Sequence, residues 1–382
     1  MELRQNSLNN GTMKVGVVGT GMISDIYLKN MKEMFKNIEV VSCCAKHIEH
    51  AEEKAAQYGI KACTVKEMFS DPQIEIVVIL TGIASHYDLI REALLHGKHV
   101  FTEKTMTVDL KQAKELIEIA ERKGLYFCSA PETFLGAALQ TAKKAIEERK
   151  IGDVYSFHIS ANRNLDCLAS MAEYLRQPGG GLCQDYGVYY LTALCSLFGG
   201  ASKINAVSRN NQPIRINTYP RSQDYGKEFS YENESQVAAV LSMRNGVVGT
   251  FSLNGDTSFV DLADFVVYGT NGVLKLGDAN RFGGQITWIP TMYGIQKELE
   301  TEVLTSVNPF YENSRGIGVA EMADSIQKGK KSRLDCHFAY HIFEVIEAIK
   351  CCGESGGCEE IRSACEVPDP FFDESEWQNM IN

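Results

Sequence analysis

The chain has 382 residues, too many for one ordinary core, so two domains are expected. Its 44% hydrophobic and 23% charged residues are a soluble globular balance, with no run of the roughly 18–20 apolar residues that a membrane span needs. A formal net charge of −11 argues against general binding to nucleic acid or anionic membranes, although a local pocket can still hold a small anion.

Met1–Thr12 is polar, rich in Asn and without the apolar run of a signal peptide, so it is expected to be a flexible extension ahead of a fold starting at Met13. Twelve cysteines without such a leader point to a reducing cytoplasm. Cys351, Cys352, Cys358 and Cys365 fit no common zinc spacing, so free thiols and no metal are expected. Val15–Val18 then reads as a short buried strand and Met22–Phe35 as a helix. Glu39–Cys44 is a second strand, and Ile48–Tyr58 a helix with alanines on its packing face. A short strand near Lys61–Ala62 and a helical turn near Lys66–Met68 follow. Glu75–Leu80 is a strong apolar strand. Ala84–His96 is a helix stopped at Gly97, and Lys98–Thr102 another strand. Asp109–Lys123 is a helix closed by Gly124, and Tyr126–Ala130 a sixth strand before a long helix to about Lys150. Strands alternating with helices of this length imply an α/β, doubly wound parallel sheet of Rossmann type over residues 13–136. Ile76–Ile79, without polar alternation, reads as a strand covered on both faces.

The pattern changes after Gly152. Asp153–Ala161 reads as a long strand, a triple glycine follows at Gly179–Gly181, and Gln184–Phe198 reads as a helix. Val237–Met243 and Val247–Leu253 flank Asn245-Gly246, the strongest short hairpin signal. Phe265–Tyr268 and Val273–Leu276 flank a second turn, and helices are expected over Gly316–Gln327 and Ala339–Lys350. Residues 137–382 are therefore expected to form an α+β domain with a large, mostly antiparallel sheet.

Gly19-Thr20-Gly21-Met22-Ile23-Ser24 sits between the first strand and the first helix. In that context Gly19 allows a tight turn, Gly21 lets a pyrophosphate approach the backbone, and the helix N-terminus supplies N–H groups and partial positive charge. The loop thus points to NAD or NADP. The tip of the second strand carries Ala45-Lys46-His47 rather than the acidic residue that binds the ribose of NAD. Lys46 tilts the expectation towards NADP, its alternative being a solvated lysine that tolerates either cofactor.

Glu103-Lys104 follows the fifth strand, and open α/β sheets bind ligands beyond the carboxyl ends of their strands. A lysine at the cofactor edge suits proton removal from an alcohol while hydride leaves carbon; a surface ion pair is the plainer alternative. Asp185 and Tyr189, four apart after the triple glycine, are expected on one helical face, where they can orient a hydroxyl group; a helix-start charge is the alternative for Asp185. Asn162 and Tyr174 are the further candidates for substrate contact, ahead of Phe134, Arg163, Arg176 and Tyr186. His341, on an amphipathic pattern with Phe338, Ile342 and Val345, reads as a packed core residue.

Together these motifs resemble the glucose–fructose oxidoreductase / inositol dehydrogenase / MocA family over nearly the whole chain from Lys14. Its pieces are Gly19–Asp25, Thr81–His86, Gly97–Val100 leading into Glu103-Lys104, the GGG…Asp185 segment, Tyr268–Gly272, Arg315-Gly316 and Glu321–Ala323. The resemblance implies hydride transfer between NAD(P) and a secondary alcohol of a sugar, cyclitol or related polyol. It makes Lys104 the lysine of the family's Glu-Lys-Pro motif and Asp185 the substrate-side aspartate. It places Thr81, His86 and Glu103 along the cofactor and implies a homodimer or homotetramer. Three positions depart from it: Thr105 replaces the proline, Tyr189 a common histidine, and Thr192 a second aspartate. The tyrosine variant resembles the branch with dimeric dihydrodiol dehydrogenases. Two other readings remain within the resemblance: a redox-neutral glycoside-processing enzyme that keeps NAD bound, and a non-enzymatic sugar or dinucleotide sensor.

Overall fold

The computed structural model describes residues 11–258, 262–291 and 301–382. The expected flexible extension lies outside the described residues except for Gly11 and Thr12. The first strands and helices are β1 (Met13–Val18), α1 (Met22–Glu33), β2 (Ile38–Cys44), α2 (Ile48–Tyr58), β3 (Lys61–Ala62), α3 (Val65–Ser70), β4 (Ile76–Ile79), α4 (His86–Leu95), β5 (His99–Thr102), α5 (Leu110–Lys123) and β6 (Phe127–Ser129). The strands form one parallel sheet in the order β3-β2-β1-β4-β5-β6, the doubly wound arrangement expected. All four residues of β4 are fully buried, as its unbroken apolar run requires. Local chemistry sets the helix ends. Thr64 and Glu67 form a reciprocal capping box on α3. The Asp109 carboxylate caps α5 through the N–H groups of Lys111 and Gln112, and Gly124 closes that helix in the left-handed conformation.

The chain continues through α6 (Ala137–Glu147), β7 (Val154–Asn162), α7 (Leu165–Met171), α8 (Val188–Phe198), β8 (Ala201–Arg209), β9 (Ile214–Ile216), β10 (Glu228–Ser230), β11 (Gln236–Met243), β12 (Val248–Asn254), β13 (Leu262–Gly269), β14 (Gly272–Leu276), β15 (Thr287–Pro290) and β16 (Glu302–Val303). It ends with α9 (Ile317–Lys328), α10 (Cys336–Ser355), β17 (Cys358–Glu360) and α11 (Glu374–Trp377). Nine strands build the second sheet in the order β16-β15-β14-β13-β7-β12-β11-β8-β17. Every pairing is antiparallel except β12 with β7. The Asn245-Gly246 turn joins β11 to β12 as expected. Val237, Ala239, Leu241 and Met243 of β11 are buried, while Val240 between them is 43% exposed, so one sheet face is covered and the other faces outward. Every residue of α8 is buried.

The chain divides into two compact units, but not at one cut near residue 136. The first comprises residues 1–132, 314–339 and 374–382; the second comprises 133–313 and 340–373. The returning segments belong to the first unit through long-range bonds. Asn37 donates to the Ala320 carbonyl, and the Asn382 side chain donates to Glu33 O. Arg333 pairs with buried Glu321 and with Glu376.

Candidate active site

In the first unit the glycine loop has the form a phosphate cradle needs. Gly19 has φ of +103°, and a Cβ there would lie 2.9 Å from the Leu80 carbonyl. Its N–H donates to Cys44 O at the tip of β2. Gly21 begins α1 with φ −72° and ψ −175°, and a Cβ on it would meet nothing within 4 Å. Open space therefore lies above a helix start, where the first N–H groups have no intrahelical partner. Ser24, in the third small position, is buried and donates to Gly21 O. Met22 is 78% exposed beside the loop. Lys46 and His47 are exposed at the tip of β2, and His47 stands edge-on to His50 with centroids 5.8 Å apart.

Glu103 and Lys104, both half-buried, follow β5. Glu103 Oε2 accepts the Lys104 N–H at 3.0 Å, and Oε1 accepts the Tyr27 hydroxyl at 2.9 Å. The Lys104–Thr105 peptide is cis. Thr105 holds its turn through a bond from its hydroxyl to Thr107 O, and its own carbonyl faces His86 Nδ1 at 2.9 Å.

His86, expected along the cofactor, has its side chain packed inside the fold. It is 1% exposed, and its other ring nitrogen faces Thr81 O at 3.0 Å. The ring thus bridges the loop after β4 to the Lys104–Thr105 turn from within the fold. Burial pushes its pKa down, against the pull of the two carbonyls. Thr81 is half-exposed, and its hydroxyl accepts from Ser85 at 2.8 Å.

In the second unit the Tyr174 hydroxyl donates to Asp185 Oδ1 at 3.0 Å, so the structure brings these two candidates together. Tyr174 is 47% exposed and Asp185 half-buried. The expected single α-helix is corrected. Cys183–Gly187 forms a π-turn before α8 begins. The wider turn removes the regular α-helical spacing on which a shared face for Asp185 and Tyr189 was expected. Tyr189 is 7% exposed. Asn162 donates to Leu262 O at 3.0 Å, tying β7 to β13. Phe134 is 2% exposed and belongs to the core.

The triple glycine serves internal packing. A Cβ on Gly180 would lie 2.6 Å from Leu175 Cα, and one on Gly181 would lie 2.6 Å from a Glu234 carboxylate oxygen. Glu234 accepts the Cys183 N–H at 2.8 Å and so caps the π-turn that carries Asp185. Its pKa is raised by burial, with that bond opposing. Tyr186, Tyr190 and Asp278 form a hydrogen-bonded chain with links of 2.9 and 2.7 Å, and the Arg163 guanidinium stacks 3.8 Å from the Tyr186 ring centroid. Glu234 and Asp278 lie about fifty and ninety residues from their partners, beyond any local spacing rule.

Cys195, His341 and Cys365 have potential ligand atoms within 4.8 Å of one another. His341 Nε2 accepts the Ala201 N–H, however, and Nδ1 faces Ser363, so both ring nitrogens are engaged. His341 is fully buried, as a core histidine. No helix among the described residues is long and apolar enough to cross a membrane.

Residues 13–130 match the model of the oxidoreductase family with an NAD-binding Rossmann fold, and residues 139–275 match the GFO/IDH/MocA C-terminal domain. The trans-1,2-dihydrobenzene-1,2-diol dehydrogenase of Bos taurus is 24% identical over 327 residues, covering 84% of this chain and 90% of that one. The scyllo-inositol 2-dehydrogenase (NADP(+)) of Bacillus subtilis (strain 168) is 21% identical over 347 residues, covering 88% and 92%. The solved structure of levoglucosan dehydrogenase with NADH and L-sorbose superposes with a TM-score of 0.81 at 18% identity, covering 92% of this chain and 99% of that one. This last likeness shows the fold. The two family models cover successive stretches of the chain, which belongs to the GFO/IDH/MocA oxidoreductase family.

Proposed function

We propose that the protein transfers a hydride between a nicotinamide dinucleotide and one secondary alcohol of a sugar, cyclitol or glycoside, interconverting it with the ketone, with Lys104 as the proton-transferring group. The observation that carries this is the built turn at Glu103–Thr105. Its lysine is half-exposed, while its backbone is held by Glu103 on one side and buried His86 on the other. The open space over Gly21 and the start of α1 fit a dinucleotide pyrophosphate, with Gly19, Thr20, Gly21, Met22 and Ile23 as its cradle. A nicotinamide dinucleotide held there supplies or takes up the hydride. In the oxidative direction Lys104 Nζ takes the hydroxyl proton as the carbonyl forms. Asp185, held by Tyr174, accepts a substrate hydroxyl and fixes its orientation, and Tyr189 donates a hydrogen bond to the substrate.

Lys46 and the absence of a carboxylate at the β2 tip favour NADP, because a cation stabilises the 2′-phosphate. The outward face of the nine-stranded sheet carries exposed Val207, Val240 and Val248 on adjacent strands, which supports a homo-oligomer formed through that face. A panel of polyols, aldoses and glycosides tests the reading, assayed with NAD and with NADP after removal of bound cofactor. At least one compound is expected to drive reduction of the dinucleotide. Product formation without net reduced cofactor would replace this reading with redox-neutral chemistry.

A further inference from the structure

Glu132 lies in the first unit, three residues past the end of β6 and directly after the cis Ala130–Pro131 peptide. It is 2% exposed. Its carboxylate is received by a built cradle at the start of α9. Oε1 accepts the Gly316 N–H at 2.9 Å, and Oε2 accepts the Gly318 N–H. A Cβ on Gly318 would lie 2.6 Å from Oε2, so the absence of a side chain there is what lets the carboxylate in. The Tyr27 hydroxyl of α1 also bonds Glu132. The same hydroxyl donates to Glu103 Oε1, and Glu103 Oε2 accepts the Lys104 N–H. Three segments distant in sequence thus form one hydrogen-bonded line from Glu132 through Tyr27 and Glu103 to Lys104.

We infer that Glu132 is a proton-holding positioning residue that sets, through Tyr27 and Glu103, how firmly the Lys104 turn is held. A tyrosine hydroxyl has one proton to donate. When Glu132 is protonated, its O–H donates to the Tyr27 oxygen, Tyr27 donates to Glu103, and Glu103 holds the Lys104 N–H. When Glu132 releases its proton to solvent, two carboxylates compete for the single Tyr27 proton, and the hold on Glu103 weakens.

The charged and titratable groups around Glu132 are Tyr27 on α1, Glu103 after β5, and Arg315 before α9, which acts on Tyr27. Burial raises the Glu132 carboxyl to about 7, with the Glu103 charge adding to the rise and the bonds from Gly316, Gly318 and Tyr27 opposing it. The release therefore falls in the neutral range. His86, on the far side of the turn, has its pKa lowered by burial, with the Thr105 and Thr81 carbonyls opposing.

The inference rests on the reading of Lys104 as the proton-transferring group, so its test includes a readout that needs no substrate. In lysine-labelled full-length protein, the Lys104 amide resonance is assigned by its loss in Lys104→Arg and followed against pH. It is expected to shift with a midpoint near neutrality, matching the titration of a buried carboxylic acid band in the infrared. Glu132→Gln should remove both signals. Tyr27→Phe should leave the carboxyl titration but uncouple it from the Lys104 amide, and it covers the case in which Glu132→Gln fails to fold. In turnover, wild-type kcat should fall about fivefold on the alkaline side of that midpoint, the worth of one hydrogen bond, with KM for the dinucleotide unchanged. That fall should be absent in Glu132→Gln. A Lys104 amide insensitive to pH, or one whose shift persists in both variants, overturns the inference. If no compound is turned over while the coupled shift is seen, the dehydrogenation reading fails and the relay stands.

Discussion

Gly19 and Gly21 lie two residues apart, and the structure assigns them different jobs, so their alanine variants should fail in different ways. At Gly19 the backbone has φ of +103°, where an L-residue is strained by about 1–3 kcal/mol. The added methyl would also lie 2.9 Å from the Leu80 carbonyl carbon and oxygen, a backbone clash that only movement of β1 or β4 can relieve. Overpacking of this kind costs about 1–3 kcal/mol more, so Gly19→Ala should lose roughly 2–6 kcal/mol of stability. At Gly21 the backbone is extended, and the methyl points into open space. Gly21→Ala should change stability by no more than about 1 kcal/mol. The same methyl occupies the approach to the α1 N–H groups. Loss of one charge-assisted hydrogen bond to phosphate, about 1.5–3 kcal/mol, weakens dinucleotide binding by roughly 10- to 100-fold. Equilibrium denaturation and calorimetric titration with NADH and NADPH separate the two effects. Wild-type dinucleotide affinity in Gly21→Ala would refute the assignment of this loop.

Lys46→Asp should reverse cofactor choice, raising KM for NADP while lowering that for NAD; an unchanged ratio would show that Lys46 is only solvated. His341 accepts the Ala201 N–H, which only a neutral ring can do, and burial lowers its pKa from 6.5 to about 4. Because the folded state holds its proton less tightly, the stabilisation is complete above about pH 6.5 and is lost as pH falls towards 4, by at most about 3 kcal/mol. Denaturation midpoints of His341→Gln and wild type, compared across that window, should converge at the acid end. A constant difference would contradict the sign.

The first unit was legible because its signals are local. Apolar runs such as Ile76–Ile79, the Gly97 and Gly124 helix ends and the glycine loop each declare themselves within a few residues. The same holds for the Asn245-Gly246 hairpin. What stayed hidden depends on contacts closed over long separations. The triple glycine resembles a ligand-approach loop, but it is shaped by Glu234, more than fifty residues on. The π-turn at Asp185 is capped by that carboxylate, and its wider winding is not visible in a four-residue spacing. His86 reads as a motif residue, but nothing local shows that both its ring nitrogens face backbone carbonyls inside the fold. Glu132 gave no signal, because its cradle at Gly316 and Gly318 is supplied by a segment that returns to the first unit from the far end of the chain.

The account centres on Lys104 as the group that moves the proton in an NAD(P)-dependent oxidation. The most direct test is steady-state turnover of Lys104→Ala on the best substrate of the polyol and glycoside panel, alongside its dinucleotide affinity. Removal of the proton-transferring group should lower kcat by about 100-fold or more. Dinucleotide affinity should stay within a few-fold of wild type, since the Gly19–Ile23 cradle is untouched. Wild-type kcat in that variant would contradict the account.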